Sequence, residues 1–148
     1  MSKDGMIEVC LVDDQTLVRQ GIRSLLELSD SIRVIAEAGD GIQAVETIPR
    51  TRPDVVLLDM RMPGMSGLDV LTALAAKNEL PPTIILTTFD DDQLVLAGLK
   101  AGARGYLLKD VSLDQLVDAV KTVAAGGSLV APVVTQRLLS GLERMHNE

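Results

Sequence analysis

Short apolar runs alternate with amphipathic segments along most of the chain, and each kind of segment recurs about five times. The apolar runs predict strands, and apolar residues three or four positions apart predict helices between them. Pro49 is expected to end the second helix, and Ser112 with Gln115 forms a capping box that predicts the start of the fifth. The predicted strands cover residues 7–12, 33–38, 55–58, 83–86 and 106–108, and the predicted helices begin near residues 17, 41, 68, 90 and 113.

This alternation predicts an α/β fold, a doubly wound five-stranded parallel sheet with helices on both faces. The run at 55–58 is apolar throughout, which suits a parallel strand covered on both sides. With right-handed crossovers, the strands fit the flavodoxin-like order 2-1-3-4-5. Residues 1–127 are predicted to form this domain. Residues 128–148 are predicted to form an extra amphipathic C-terminal helix, either packed on the domain or at the start of a linker.

The composition excludes several kinds of chemistry. The 148 residues include one cysteine, Cys10, and one histidine, His146. They therefore lack the ligands of a zinc site and a well-placed base for a serine or cysteine triad. Cys10 lies inside the first predicted strand and is expected to be a small core residue. The formal net charge of -7 disfavours direct nucleic-acid binding by this segment. Of the kinds of site chemistry considered, the chemistry of carboxylate side chains remains.

The apolar pattern and the single cysteine also indicate the cellular compartment. The start of the chain has no signal-peptide pattern, and no apolar stretch reaches membrane-spanning length. A lone cysteine forms no internal disulfide, as is usual in a reducing compartment. We therefore expect a cytoplasmic protein without membrane contact.

Polar residues stand where four of the predicted strands end. Asp13 and Asp14 follow the first strand, Asp59 the third, Thr87 the fourth and Lys109 the fifth. Ligands of open parallel sheets bind at this edge, where neighbouring first and third strands would bring three carboxylates together. Each close pair of carboxylates costs roughly 4 kcal/mol, so the site needs a cation, and all-oxygen ligands suit Mg2+. Magnesium, Lys109 and the Thr87 hydroxyl could then support phosphoryl transfer to Asp59.

Each of these residues also has an ordinary structural interpretation. Asp13 and Asp14 could be helix caps, and Asp59 could belong to turn chemistry before Pro63 and Gly64. Lysines such as Lys109 are usually solvated, and threonine is a good strand former. Only the joint occurrence of these residues at four strand ends favours the functional interpretation.

The chain resembles the receiver domain of two-component response regulators in four ordered stretches, LVDDQ, VVLLDMRMPGMSGLDVL, TIILTTF and AGARGYLLKD. The similarity runs from Glu8 to Ala125. It implies a magnesium-dependent domain that accepts a phosphoryl group from a cognate sensor histidine kinase. It implies no enzyme beyond self-phosphorylation and self-dephosphorylation. The implicated residues are Asp59 as phosphoacceptor, Asp14 as a direct and Asp13 as a water-mediated magnesium ligand, the backbone carbonyl of Arg61 as a further ligand, Lys109 as the phosphate-binding lysine, and Thr87 with Tyr106 as the switch pair.

The stretches VIAEAGDGIQAVE and GYLLKD are similar to the NarL/FixJ (LuxR-type) subfamily. Its members usually continue into a helix-turn-helix domain, so DNA is expected to be bound only through such a further domain, which would control transcription. Phosphorylation is expected to alter the face of the fourth helix, fifth strand and fifth helix and to produce a homodimer. Asp110 follows Lys109 where many receivers have proline, which argues against the cis peptide found there.

Other functions fit parts of the pattern. A phosphatase of the haloacid dehalogenase kind needs an acid two residues after its nucleophile, but Gln15 stands two after Asp13. A flavodoxin needs a loop that binds the flavin phosphate, which Asp13 and Asp14 would repel, and aromatic residues that stack on the flavin. A stand-alone receiver, or a pseudo-receiver that acts only as a protein-interaction module, remains the alternative. The complete acidic set and Lys109 argue against the pseudo-receiver.

Overall fold

The computed structural model describes residues 5–88 and 92–128. Strands and helices alternate strictly along this part of the chain, as the apolar pattern predicts. The strands are β1 (Ile7–Val12), β2 (Ile32–Ala38), β3 (Val55–Asp59), β4 (Thr83–Thr87) and β5 (Gly105–Leu108). The helices are α1 (Thr16–Leu26), α2 (Gly41–Thr51), α3 (Gly67–Ala76), α4 (Asp92–Lys100) and α5 (Leu113–Ala124).

The five strands form one parallel sheet in the order β2-β1-β3-β4-β5, which confirms the predicted topology. Every residue of β3 and β4 is buried, as expected for central parallel strands with helices on both faces. Because the strands are parallel, their carboxyl ends meet at one edge of the sheet. The polar residues at 13, 14, 59, 87 and 109 therefore gather at this edge.

Aliphatic side chains fill the space on both sides of the sheet. One buried cluster joins Val9, Leu57 and Ile84 to α5, and the other joins Val56 and Ile85 to α2 and α3. Cys10 belongs to the second cluster, has no exposed surface and is a free thiol. Burial, with a smaller contribution from the charge of Glu37, raises the pKa of its thiol to about 12. The prediction that Cys10 is a small core residue is confirmed.

The predicted end of the second helix is wrong. Helix α2 continues past Pro49 to Thr51. Pro49 lacks the N–H that would donate to the carbonyl four residues earlier, so α2 loses one helical hydrogen bond there, yet the backbone stays helical for two more residues. The helix ends instead at Arg52, which adopts a left-handed conformation with φ of 48° and donates its N–H to the Ile48 carbonyl at 2.9 Å. This arrangement satisfies one of the carbonyls at the helix end.

Local capping explains where two other helices begin. The predicted box of Ser112 and Gln115 is present at the start of α5, and Ser66 and Asp69 form a second box at the start of α3.

No peptide bond among the described residues is cis, so Lys109 and Asp110 are joined in the trans form. The described helices include none long and apolar enough to cross a membrane. The predicted helix within 128–148 and the acidic residues at 90 and 91 lie outside the described residues, apart from residue 128.

Gly67 lets the first turn of α3 approach the end of β3. A Cβ atom at this position would lie 2.5 Å from the Asp59 carbonyl oxygen and 2.7 Å from the Met60 Cα atom. Since both are backbone atoms, we expect Gly67→Ala to lower the free energy of unfolding by about 3 kcal/mol. Gly21→Ala is the matched control, because Gly21 lies inside α1 with nothing near its Cβ position. It should raise stability by roughly 0.5–1 kcal/mol. Equal denaturation midpoints for the two variants would contradict this packing.

Candidate functional site

The carboxyl edge of the sheet is fixed by backbone hydrogen bonds that continue just beyond the strands. The Asp13 N–H donates to the Ala38 carbonyl at 3.1 Å, which holds the residue after β1 beside β2. The Lys109 N–H donates to the Thr87 carbonyl at 2.9 Å, which holds the residue after β5 beside β4. The positions of the candidate residues are thus set by strand pairing rather than by a free loop.

Three carboxylates converge at this edge, as the strand order predicts. Asp13, Asp14 and Asp59 can each offer an oxygen such that these three atoms all lie within 4.8 Å of one another. Asp13 and Asp59 are buried and Asp14 is exposed, so the cluster opens to solvent on one side. The Lys109 Nζ atom lies 3.3 Å from Asp13 Oδ2 and 3.5 Å from Asp59 Oδ2. One ammonium group therefore faces two buried carboxylates and offsets only part of their negative charge.

The remaining oxygens of the cluster show that it can accept a cation. Asp13 Oδ1 accepts the Gln15 N–H at 2.8 Å, and Asp59 Oδ1 accepts the Arg61 N–H at 3.2 Å. Asp13 Oδ2 is buried without a hydrogen bond, although Lys109 is close enough for an ion pair. A buried carboxylate oxygen without a donor is costly. Three negative charges against one lysine, with an unsatisfied oxygen among them, suit a hard divalent cation.

The electrostatics of Asp59 reflect its place in this cluster. Burial raises the pKa of its carboxyl group, and the negative charge of Asp13 raises it further. The charge of Lys109 and the hydrogen bond from the Arg61 N–H oppose these effects without cancelling them. The pKa of Asp59 therefore stays above its ordinary value. A second positive charge at the site would favour the ionised form, which is the form that can act as a nucleophile.

Thr87 and Tyr106 share one face of the sheet. Ile85 pairs with Tyr106 and Thr87 pairs with Leu108, and side chains two residues apart on a strand point the same way. Thr87 is buried, and its hydroxyl donates to the Thr88 carbonyl at 3.2 Å. Tyr106 is partly buried and packs against the cluster of Val95 and Leu96 on α4. A movement of Tyr106 would therefore change its packing against α4.

Two arginines near the acidic cluster differ from the predicted site residues described above. Arg61 is exposed, and its N–H contacts Asp59, while the predicted role of its carbonyl as a metal ligand stays a prediction. The polar pattern of the sequence did not single out Arg19, whose guanidinium group donates to the backbone carbonyl of Asp13 and to Glu37. The spacing of Arg19 and Arg23 by one helical turn was the available signal.

Comparison with known proteins gives the same assignment as the geometry. Residues 9–121 match the family model described as the response regulator receiver domain. The chain belongs to this family. Receiver domains of this family are phosphorylated by kinases in two-component systems, and they are receivers rather than members of an enzyme family.

The relatives of this receiver are regulators of the NarL, DegU and LuxR type. The chain is 45% identical over 131 residues to the nitrate/nitrite response regulator protein NarP of Escherichia coli strain K12, covering 88% of this chain and 61% of NarP. It is 40% identical over 139 residues to the transcriptional regulatory protein LnrK of Bacillus subtilis strain 168, covering 94% of this chain and 63% of LnrK. This receiver thus spans about three fifths of the length of such relatives.

Solved structures agree with the receiver assignment. The signal receiver domain of a NarL-type regulator from Mycobacterium tuberculosis superposes with a TM-score of 0.77 at 39% identity, covering 82% of this chain and 98% of that one. The response regulator ChrA of a heme-sensing two-component system gives a TM-score of 0.77 at 42% identity, with 94% and 67% covered. The receiver fold is therefore shared at identities well above those that indicate fold alone.

Proposed function

We propose that this receiver is a magnesium-dependent switch that accepts a phosphoryl group on Asp59 from a sensor histidine kinase. The observation that carries the proposal is the convergence of Asp13, Asp14 and Asp59 within 4.8 Å, with Lys109 between two of them. This arrangement offers one carboxylate as nucleophile and the others as cation ligands. It also holds a fixed ammonium group beside the reacting oxygen.

The transfer needs little beyond positioning and charge. A carboxylate oxygen of Asp59 attacks the phosphorus atom of a phosphohistidine, a new P–O bond forms, the P–N bond breaks, and the imidazole leaves with the bonding electrons. Magnesium held by Asp13, Asp14, Asp59 and the Arg61 carbonyl would neutralise charge on the phosphoryl oxygens. Lys109 already lies 3.5 Å from Asp59 Oδ2 and can bind a second phosphoryl oxygen. Acetyl phosphate can replace phosphohistidine, because it is also an activated phosphodonor.

The same residues link the phosphoryl group to a conformational change. Phosphorylation adds negative charge and strong acceptor oxygens at Asp59. The Thr87 hydroxyl, which now donates to the Thr88 carbonyl, would turn to donate to a phosphoryl oxygen. Tyr106 on the same face would move into the space that Thr87 leaves, which alters its packing against α4. This is a shift between two packings, driven by the better interaction of the phosphoryl group with one of them.

The output of the switch lies outside the part of the chain that the structure describes. We propose that residues 1–127 act as the receiver and that 128–148 lead toward a helix-turn-helix domain, through which the whole protein binds DNA and controls transcription. The regulatory names of relatives that are about half as long again as this chain support this proposal. A cytoplasmic location follows from the same proposal, since histidine kinases draw their phosphoryl group from ATP.

The proposed function is tested by the mass of the intact protein after incubation with acetyl phosphate. The protein should gain one phosphoryl group in magnesium and none in a chelator. Asp118→Asn is the control for the loss of a carboxylate outside the site, because Asp118 is an exposed carboxylate on α5, far along the chain from the acidic cluster. It should be phosphorylated like the unaltered protein. An uptake that is equally fast without a divalent cation would contradict the proposal.

Phosphorylation is expected to produce a homodimer through the surface of α4, β5 and α5. The reason is that Tyr106 lies on β5 and packs against α4, and Thr87 lies on the same face of the sheet as Tyr106. Sedimentation velocity with and without the phosphoryl mimic beryllofluoride measures the effect. We expect a monomer that shifts toward a dimer when the mimic and magnesium are both present. A monomer under both conditions would rule out this dimer.

A further inference from the structure

Arg19 connects three parts of the fold next to the acidic cluster. It lies on α1, its Nε atom donates to Glu37 Oε1 on β2 at 2.9 Å, and its Nη1 atom donates to the backbone carbonyl of Asp13. The side chain is 15% exposed, so the guanidinium group is largely shielded from water. A planar group with several fixed donors can make both contacts at once. The turn between β1 and α1 is therefore attached to β2 through one side chain.

Apart from the Asp13 N–H, which donates to the Ala38 carbonyl on β2, the turn that carries Asp13 and Asp14 has few other supports. Helix α1 begins after Gln15, whose side chain makes no capping hydrogen bond, and its first turn has no acidic residue. Asp13 Oδ1 does accept the Gln15 N–H, but this contact uses the carboxylate that the proposed metal site needs. The contact from Arg19 is different, because it holds the backbone of Asp13 and occupies neither carboxylate oxygen.

The anchor of Arg19 is itself well defined. Glu37 accepts hydrogen bonds from Arg19 through Oε1 and from Arg23 through Oε2. Burial tends to raise the pKa of Glu37, but the hydrogen bonds from Arg23 and Arg19 outweigh it, so the pKa is lowered. Glu37 is thus ionised at neutral pH and fixes the orientation of the Arg19 guanidinium group.

We propose that Arg19 is a positioning residue for magnesium, which holds the turn between β1 and α1 so that Asp13 and Asp14 point toward Asp59. The inference rests on the proposed function, since it concerns the same cation site. Groups that orient metal ligands without touching the metal often change its affinity substantially. Arg19 has this relation to Asp13, whose buried Oδ2 atom accepts no hydrogen bond and lies in the cluster.

Two other interpretations of Arg19 make different predictions. If its positive charge merely repels a cation, removing the charge should strengthen magnesium binding. If it only ties α1 to β2, its loss should lower stability without changing magnesium affinity. Arg23 provides the control for the second interpretation, because it is also bound to Glu37 from α1, and its described contacts do not include Asp13.

The test compares Arg19→Gln, Arg19→Lys and Arg23→Gln by calorimetric titration of the metal-free proteins with magnesium. We expect the dissociation constant to rise about tenfold in both Arg19 variants. Lysine keeps the charge but cannot bridge Glu37 and Asp13 as a planar fork does. Arg23→Gln should stay within about twofold of the unaltered protein, since it loses only two partly exposed ion pairs, with Glu27 and Glu37. The rate of phosphorylation by acetyl phosphate at saturating magnesium should change little in all three variants.

The outcomes separate this inference from the proposed function. If the unaltered protein binds no magnesium, both fail. If it binds magnesium and the Arg19 variants bind it as well or better, only the role of Arg19 is overturned. Equal weakening in Arg19→Gln and Arg23→Gln would also overturn it, because the effect would then belong to the attachment of α1. Thermal unfolding of each variant shows that it is folded before titration.

Discussion

Asp59→Asn is expected to abolish phosphoryl uptake while making the metal-free protein slightly more stable. The amide lacks the nucleophilic carboxylate, so the rate with acetyl phosphate should fall by more than about a thousandfold. Burial raises the pKa of Asp59, which means that the fold disfavours its charge. The change removes repulsion from Asp13 and a larger attraction to Lys109, but the relief of a buried charge outweighs the lost attraction. We therefore expect a gain in stability on the order of 1 kcal/mol.

The two effects of Asp59→Asn are measured separately. Intact mass after incubation with acetyl phosphate and magnesium reports uptake, and denaturant unfolding in a chelator reports stability. A structural role for Asp59 would give the opposite pattern, with uptake retained at another residue and a lower free energy of unfolding. Asp118→Asn again serves as the control, with normal uptake and nearly unchanged stability.

Lys109→Met is expected to destabilise the metal-free protein by about 3 kcal/mol at neutral pH. Lys109 pairs with Asp13 and Asp59, and both of these carboxylates are buried. Its loss would leave two buried negative charges facing each other without a balancing charge. Lys121→Met is the matched control, because Lys121 is an exposed lysine on α5, and its effect should lie within about 0.5 kcal/mol.

The destabilisation by Lys109→Met should depend on pH in a defined direction. Without Lys109 the pKa of Asp59, already raised in the folded state, rises further. A group with a raised pKa in the folded state lowers stability as the pH rises above its unfolded value, because the unfolded chain loses the proton first. The loss should therefore be large at neutral pH and shrink at mildly acidic pH. Unfolding curves at both pH values, recorded in a chelator, measure it, and an equal loss at both would contradict the electrostatic explanation.

Most of the fold can be predicted from local sequence patterns, since the strands and helices depend on residues that are close together along the chain. The apolar runs predict the strands, and the strict alternation with helices fixes a parallel sheet, so the edge that gathers Asp13, Asp59 and Lys109 is predictable. The end of α2 was not predictable. The rule that proline ends a helix would stop α2 at Pro49, whereas the left-handed cap at Arg52 ends it three residues later. A proline near a helix end is compatible with either outcome, and packing of the last turn decides between them.

The role of Arg19 could not be predicted from spacing alone. Its partner Glu37 lies 18 residues away in sequence on a different element. The register between β1 and β2 shifts between Val9 and Cys10, so Leu11 pairs with Glu37 rather than with Ala36. In a strand, a shift of one residue exchanges the two faces. Which acidic residue meets Arg19 therefore depends on an irregularity that the apolar pattern does not reveal.

Reduction of the phosphorylated protein with borohydride identifies the residue that carries the phosphoryl group, which we propose is Asp59. Hydride attacks the carbonyl carbon of an acyl phosphate and phosphate leaves, which gives an aldehyde. A second hydride and a proton from water reduce the aldehyde to the alcohol, so the aspartyl side chain becomes that of homoserine. Peptide mass spectrometry of protein treated with acetyl phosphate, magnesium and borohydride then locates the modified residue. We expect homoserine at position 59 and at no other aspartate. Homoserine at position 13 or 14, or no homoserine despite a gain of phosphoryl mass, would show that Asp59 is not the phosphoacceptor.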